Sequence, residues 1–222
     1  MTPVWIELDL SALRHNLKWV AGRVGGIGRV WAVIKANGYG HGARELGKVF
    51  EREGVAGLAV VSLEEAVELR EARVRLPILV LNPGFPAEAP WMVRYGLVQS
   101  LSTPEMLYAL SRAAHAQGRP ARVHVKVDTG MTRLGVSVGR ALELLDRATS
   151  LPGVECQGIF SHLATADGIQ NRFAVEQLER FRRIWGQIPS GVRNRLEWVH
   201  MANSAAVALW PQAVRKPFSG VR

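Results

Sequence analysis

Apolar runs of four or five residues recur along the chain. Each ends in a polar or glycine-rich break, and most are followed by apolar residues at helical spacing. Short runs bounded by turn residues read as buried strands, and an i, i+3, i+4 spacing reads as amphipathic helix. The spacing predicts strands over 30–34, 57–61, 78–81, 97–100, 123–127, 154–161 and 197–201. It predicts helices over 41–53, 62–73, 89–95, 104–116, 138–148, 173–184 and 204–210. Ser62 and Glu65 have capping-box spacing, and Thr103 before Pro104 reads as an N-cap and first helical residue. Ahead of all these, residues 4–8 alternate loosely and read as a short strand. Asp9 and Ser11 then offer caps for a helix carrying Leu13, Leu17 and Val20.

Strand alternating with helix implies parallel strands joined by right-handed crossovers. From the Lys35 run onward there are seven such strands, at about the spacing of a βαβ repeat. No glycine-rich fingerprint leads into a helix with a downstream acid, so a dinucleotide-binding sheet is disfavoured. The expected fold is α/β, a TIM-type (β/α)8 barrel cut short before or within its eighth strand. It forms one domain over 1–222, with no repeat or linker. A barrel without one strand exposes two edges and an apolar slot, so the chain reads as truncated or completed by something else.

Composition narrows the class. Apolar residues make up 48% and charged residues 21% of the chain, as in a soluble globular protein. No apolar run reaches the length of a membrane span, and the start Met1-Thr2-Pro3-Val4 lacks a signal-peptide pattern. The single Cys156 excludes an internal disulfide and any multi-cysteine zinc site, so no metal is expected and the cytoplasm is the expected location. The formal net charge of +9 is scattered among acids, with no basic block. A solvated basic surface therefore accounts for it better than a nucleic-acid-binding module does, and neither nucleic acid nor membrane is expected as a partner. Lysine is rare, occurring only at Lys18, Lys35, Lys48, Lys126 and Lys216, yet two of these end strand-like runs.

In a barrel of this kind chemistry sits at the C-terminal ends of the strands. Those ends carry Lys35, then Lys126 with Asp128, Ser161 with His162, and His200 with Asn203 and Ser204. Singly each has a bland reading: a solvated lysine, a structural histidine, a helix cap. Together they bring titratable groups from four strands to one face. A desolvated strand-end lysine forms a Schiff base readily, and a helix start such as Ser204-Ala205-Ala206 presents free N–H groups to a phosphate. Lysine plus a phosphate cradle points to pyridoxal 5'-phosphate.

At these residues the chain resembles alanine racemase over nearly its whole length. The opening through Leu13-Arg14-His15-Asn16-Leu17 is similar to the family's, as is Val33-Ile34-Lys35-Ala36-Asn37-Gly38-Tyr39-Gly40-His41-Gly42, its cofactor-lysine motif. Lys126-Val127-Asp128-Thr129-Gly130-Met131-Thr132-Arg133-Leu134-Gly135, Gly158-Ile159-Phe160-Ser161-His162 and His200-Met201-Ala202-Asn203-Ser204-Ala205-Ala206 complete the set. The resemblance implies a pyridoxal-phosphate barrel followed by a separate β domain, here absent. The parent protein would work as a homodimer that interconverts L- and D-alanine and supplies D-alanine for peptidoglycan.

The resemblance also implies roles. Lys35 would be the Schiff-base lysine and the base on one face of the substrate. Tyr39 and Ser204, with Asn203, would hold the phosphate, and His162 would lie against the cofactor ring. Arg133, with Met131 beside it, would orient the substrate carboxylate. In some family members the lysine matching Lys126 is carbamylated and steadies that arginine. An arginine beside the pyridine nitrogen would be Arg222, supported by His200. Its rival, Arg215, is followed by Lys216-Pro217-Phe218, which breaks the family pattern. The family's second base is a tyrosine from the partner's β domain, and neither Tyr39, Tyr95 nor Tyr108 is a good replacement. The chain is therefore expected to be inactive alone. The alternative is a non-catalytic single-domain pyridoxal-phosphate carrier, which would complete all eight strands.

Overall fold

Asp9 starts the first helix by accepting the N–H groups of Ser11 and Ala12 on one carboxylate oxygen, at 2.7 and 3.1 Å. Helix α1 (Leu10–Val24) ends where Gly25 turns left-handed. In the computed structural model, residues 5–168 and 172–210 are described. Within them strand and helix alternate: β1 (Trp31–Val33), the short turn α2 (Lys35–Tyr39), α3 (Ala43–Glu53), β2 (Gly57–Val60), α4 (Leu63–Glu71), β3 (Ile78–Val80), α5 (Ala89–Arg94), β4 (Val98–Leu101) and α6 (Pro104–Gln117). The second half runs β5 (Ala121–Asp128), β6 (Val136–Ser137), α7 (Ala141–Ser150), β7 (Val154–Phe160), α8 (Arg172–Gln187), α9 (Ser190–Arg193), β8 (Trp198–His200) and α10 (Ser204–Leu209).

The sheet is parallel, and its spatial order β1-β2-β3-β4-β5-β7-β8 is the order of the chain. Two-residue β6 lies off this path, against the end of β5. The seven expected strands are all present, with ends shifted by at most two residues. The expected strand over 4–8 is not: Trp5 to Leu8 pair with no described strand, and Trp5 and Ile6 are 78% and 69% exposed. Alternation favours a strand only when a partner edge is within reach.

Side chains alternate across each strand. Leu58, Val60, Ile78, Val80, Val123, Val125, Val127 and Ile159 join the large core shared with the helices. Ala59, Leu79, Val98 and Phe160 form a second, inner cluster against Trp31. A Cβ on Gly57 would lie 2.6 Å from the Trp31 ring, so the glycine makes room for the indole inside the curl. Trp31 also stacks on His200 at 6.3 Å and meets Trp198 edge-on at 5.4 Å. First and last strands thus approach through their inner side chains, while no backbone ladder between them is formed among the described residues.

Arg70 ties two connections together, the one from α4 to β3 and the one from α5 to β4. From the end of α4 its guanidinium donates to the carbonyls of Val74 and Leu76 at 2.8 Å each, Tyr95 at 3.0 Å and Gly96 at 3.4 Å.

Candidate active site

The C-terminal ends of β1, β5, β7 and β8 form one mouth. Lys35 lies two residues past β1, at the start of α2, rather than on the strand itself. The turn that follows is left-handed: Ala36, Asn37 and Gly38 have φ of 51°, 53° and 64°, and Tyr39 has φ of 54°. Glycine and asparagine visit this region readily, but each other L-residue costs about 1–2 kcal/mol there. Ala36 and Tyr39 are therefore strained, and such strain persists only where the surroundings fix it. Asn37 accepts the Ala43 N–H at 2.8 Å on its side chain. Glu65 accepts the N–H groups of Ala36 and Val61 at 2.7 Å each. Only half of the expected capping box exists: Ser62 accepts the Glu65 N–H at 3.4 Å, but the Glu65 carboxylate bypasses Ser62.

The half-buried Lys35 places its Nζ 5.9 Å from the centre of the exposed Tyr39 ring. Lys126, on β5, is only 5% exposed, with its Nζ 5.3 Å from the Phe160 ring. Burial first, then the Arg133 guanidinium and Lys35, lower its pKa to about 8, while Asp128 pulls the other way. The same cluster acts on His162, whose pKa is lowered by burial and then by Arg133, Lys126 and Lys35. These four basic groups therefore share one electrostatic environment.

Arg133 and Met131 come from the loop after β5. Together with Lys126, Asp128, Leu134, Ser161 and His162 they line a small recess. Asp128 shapes the loop by accepting the N–H groups of Gly130 and Thr132 at 2.8 and 3.1 Å. Gly135 closes it with φ of 127°, where a Cβ would lie 2.6 Å from the Asp128 nitrogen. The other wall is held by a buried chain of hydrogen bonds that ties Ser161 to Gln177, a residue the sequence did not single out. Thr129 and Ser161 bond through their hydroxyls at 2.8 Å, and Gln177 of α8 donates to Thr129 Oγ1 at 3.3 Å and to the His162 carbonyl at 3.0 Å.

His200 lies deeper, inside the curl. It stacks on Phe160 at 4.7 Å and shares a 3.1 Å hydrogen bond between its Nε2 and His124 Nδ1. Burial, with Lys126 nearby, lowers its pKa to about 3, so the ring is neutral. Asn203 caps α10 by accepting the Ala206 N–H at 3.0 Å, and it donates to Leu163 at 3.2 Å. Its side chain is thus committed to the fold, and what it offers a ligand is the placement of Ser204. Ser204 is exposed, and the N–H groups of Ser204 and Ala205 have no acceptor among the described residues. Arg215 and Arg222 lie outside the described residues. Tyr95 stacks on Trp91 at 6.3 Å, and Tyr108 accepts from Arg147 at 3.1 Å, both in the helical layer away from the mouth.

The donor set fits an anionic aldehyde cofactor. Amines, a guanidinium and free helix-start N–H groups face a mouth in which Asp128 is the acid acting on Lys126. Such a set accepts a phosphate and a carboxylate together.

Residues 8–222 match the family model described as alanine racemase, N-terminal domain. The chain is 41% identical over 214 residues to the alanine racemase of Symbiobacterium thermophilum, covering 96% of this chain and 56% of that protein. It is 38% identical over 211 residues to that of Desulfovibrio desulfuricans, covering 95% and 56%. The structure of Clostridium difficile 630 alanine racemase in complex with cycloserine superposes with a TM-score of 0.91 at 29% identity, over 97% of this chain and 59% of that one. A histidine racemase from Leuconostoc mesenteroides superposes with a TM-score of 0.83 at 25% identity, over 96% and 55%. The chain thus spans little more than half the length of these relatives.

Proposed function

Because the chain belongs to the alanine racemase N-terminal domain family, we propose that it is the cofactor-binding barrel of a pyridoxal-phosphate-dependent alanine racemase, with Lys35 as anchor and as one of two bases. The observation that carries this reading is the convergence of Lys35, Lys126, Arg133 and His162 on one mouth.

When bound, the pyridoxal group supplies an electron sink that makes the α-proton of alanine acidic. Lys35 removes or returns that proton at Cα on one face. Arg133, exposed at the rim, grips the substrate carboxylate, with Met131 beside it. Tyr39, Ser204 and the first N–H groups of α10 take the phosphate, and His162 backs the ring. By the family pattern, Arg222 would be the arginine at the ring nitrogen. A guanidinium keeps its own proton, so charge stays nearer Cα and return of a proton there is favoured. The opposite face needs a second base; Tyr39 is taken up by the phosphate on the Lys35 side, and Tyr95 and Tyr108 lie in the helical layer away from the mouth. That base comes from a β domain beyond this barrel, contributed across a homodimer.

With pyridoxal phosphate and L-alanine, the 222-residue chain alone is expected to show no sustained formation of D-alanine in a coupled assay, while borohydride fixes a pyridoxyl group on Lys35. Sustained conversion would overturn the placing of the second base, and an unlabelled Lys35 would overturn the cofactor reading.

Lys126 yields a pH-dependent expectation. Its neutral amine, the form that attacks carbon dioxide, grows as pH rises through about 8. A carbon–nitrogen bond forms, a proton leaves, and a carbamate anion stands beside Arg133. In 13C-bicarbonate a carbamate signal should increase from pH 7 to pH 9 and be absent in Lys126→Arg. A signal unchanged by that substitution would assign it elsewhere.

A further inference from the structure

Glu65 reaches from α4 to the turn that carries Lys35. Its Oε1 accepts the Ala36 N–H, which belongs to the peptide group leaving Lys35, and its Oε2 accepts the Val61 N–H, just past the end of β2. β2 is the strand paired with β1. One carboxylate therefore fixes the peptide after Lys35 to the neighbouring stave of the sheet. We propose that Glu65 is a positioning residue for Lys35, clamping the left-handed turn so that the ε-amine is aimed at the mouth shared with Lys126 and His162. This rests on the reading of Lys35 as the cofactor lysine.

The turn needs such a clamp. Ala36 and Tyr39 sit at positive φ without the freedom of glycine, so the segment relaxes if released. Rotation of the peptide between Lys35 and Ala36 would swing the lysine side chain away from β5 and β7. An N–H at the start of a helical turn has no partner within the turn, and a carboxylate is the strongest acceptor a side chain offers it. Two N–H groups converge here, so the acceptor needs two oxygens and no hydrogen. Glutamate meets that demand. Glutamine does not, because its NH2 would face an N–H. The residue thus acts through the Lys35 peptide, and it touches neither cofactor nor substrate.

Glu65→Gln tests this in the full chain by two readouts. The first is amide hydrogen exchange: at Ala36 and Val61 it should quicken about ten-fold or more, as expected for loss of a charge-assisted hydrogen bond, while the amide of Leu69 within α4 keeps its protection. The second is the amount of pyridoxyl label fixed on Lys35 by borohydride at sub-saturating pyridoxal phosphate, which should fall by a similar factor. Adding Ala36→Gly should restore most of the label, because glycine holds the left-handed conformation without a clamp. That rescue is not expected if Glu65 only supports α4.

Equal labelling of the parent and Glu65→Gln chains overturns the inference, as does a folded double variant that recovers no label. A parent chain that takes no label overturns the cofactor reading and this inference with it, a result that equal labelling cannot mimic. If Glu65→Gln does not fold, Glu65→Asp keeps the charge on an arm too short for both N–H groups and should show the same two losses.

Discussion

Lys35→Ala is expected to leave no covalently held cofactor. After incubation with pyridoxal phosphate and removal of the free compound, the visible band is gone, and borohydride adds no mass to the peptide around position 35. The competing amine makes this outcome informative. Lys126, with a pKa of about 8, supplies more neutral amine near neutral pH than an ordinary lysine does. By reactivity alone it would be the anchor. Geometry argues otherwise: Lys126 is nearly enclosed on β5 over Phe160, whereas Lys35 is half-buried on a clamped turn at the rim. Label that persists in Lys35→Ala and maps to Lys126 would overturn the assignment. The fold should survive the change, since an exposed or half-exposed side chain outside the core contributes within about 0.5 kcal/mol.

Arg70→Ala should lower the unfolding free energy by about 4 kcal/mol, a large fraction of the roughly 5–15 kcal/mol of a typical domain. Its guanidinium satisfies four carbonyls from two separate connections. Burial, then the like charge of Arg122, lowers its pKa, with Glu51 partly offsetting. An arginine nevertheless remains charged, so each hydrogen bond it donates is charge-assisted. Alanine leaves part-buried acceptors unpaired and removes the link between the end of α4, the approach to β3 and the end of α5. Arg70→Lys should recover only part of the loss, because an ammonium cannot fork across the four oxygens. Urea unfolding followed by circular dichroism measures both variants. A loss under about 1 kcal/mol for Arg70→Ala would show that water replaces the guanidinium without cost.

The strands were legible because a parallel sheet covered on both faces needs continuous apolar runs, and these carry their own boundaries. The apolar run at 30–34 and the Gly57-Leu58-Ala59-Val60 run are of this kind, and both lie in the sheet. The segment over 4–8 misled because alternation is a local signal, while pairing requires an edge that those residues do not reach. The cluster of Lys35, Lys126, Arg133 and His162 was legible from strand-end positions and from motif resemblance. What supports it was not. Glu65 lies 29 positions from Ala36, and its spacing from Ser62 fits a helix cap, so the local reading concealed the distant one. Gln177 lies 48 positions from Thr129, and nothing in the helical spacing of α8 sets it apart from a solvated glutamine. His200 was read at the mouth, but the inward face of β8 turns it down toward His124.

The sheet's strand order repeats the chain's order from β1 to β8, apart from the short β6 flap. During synthesis each new strand finds its partner already made: β2 docks on β1, β3 on β2, and so on as the chain leaves the ribosome. No stave waits for a distant segment to arrive, so loop-closure entropy is met in small steps and few hydrophobic edges stay exposed for long. The growing edge is always the most recent strand, and the same rule that builds the barrel in sequence leaves its final seam as the last joint to form.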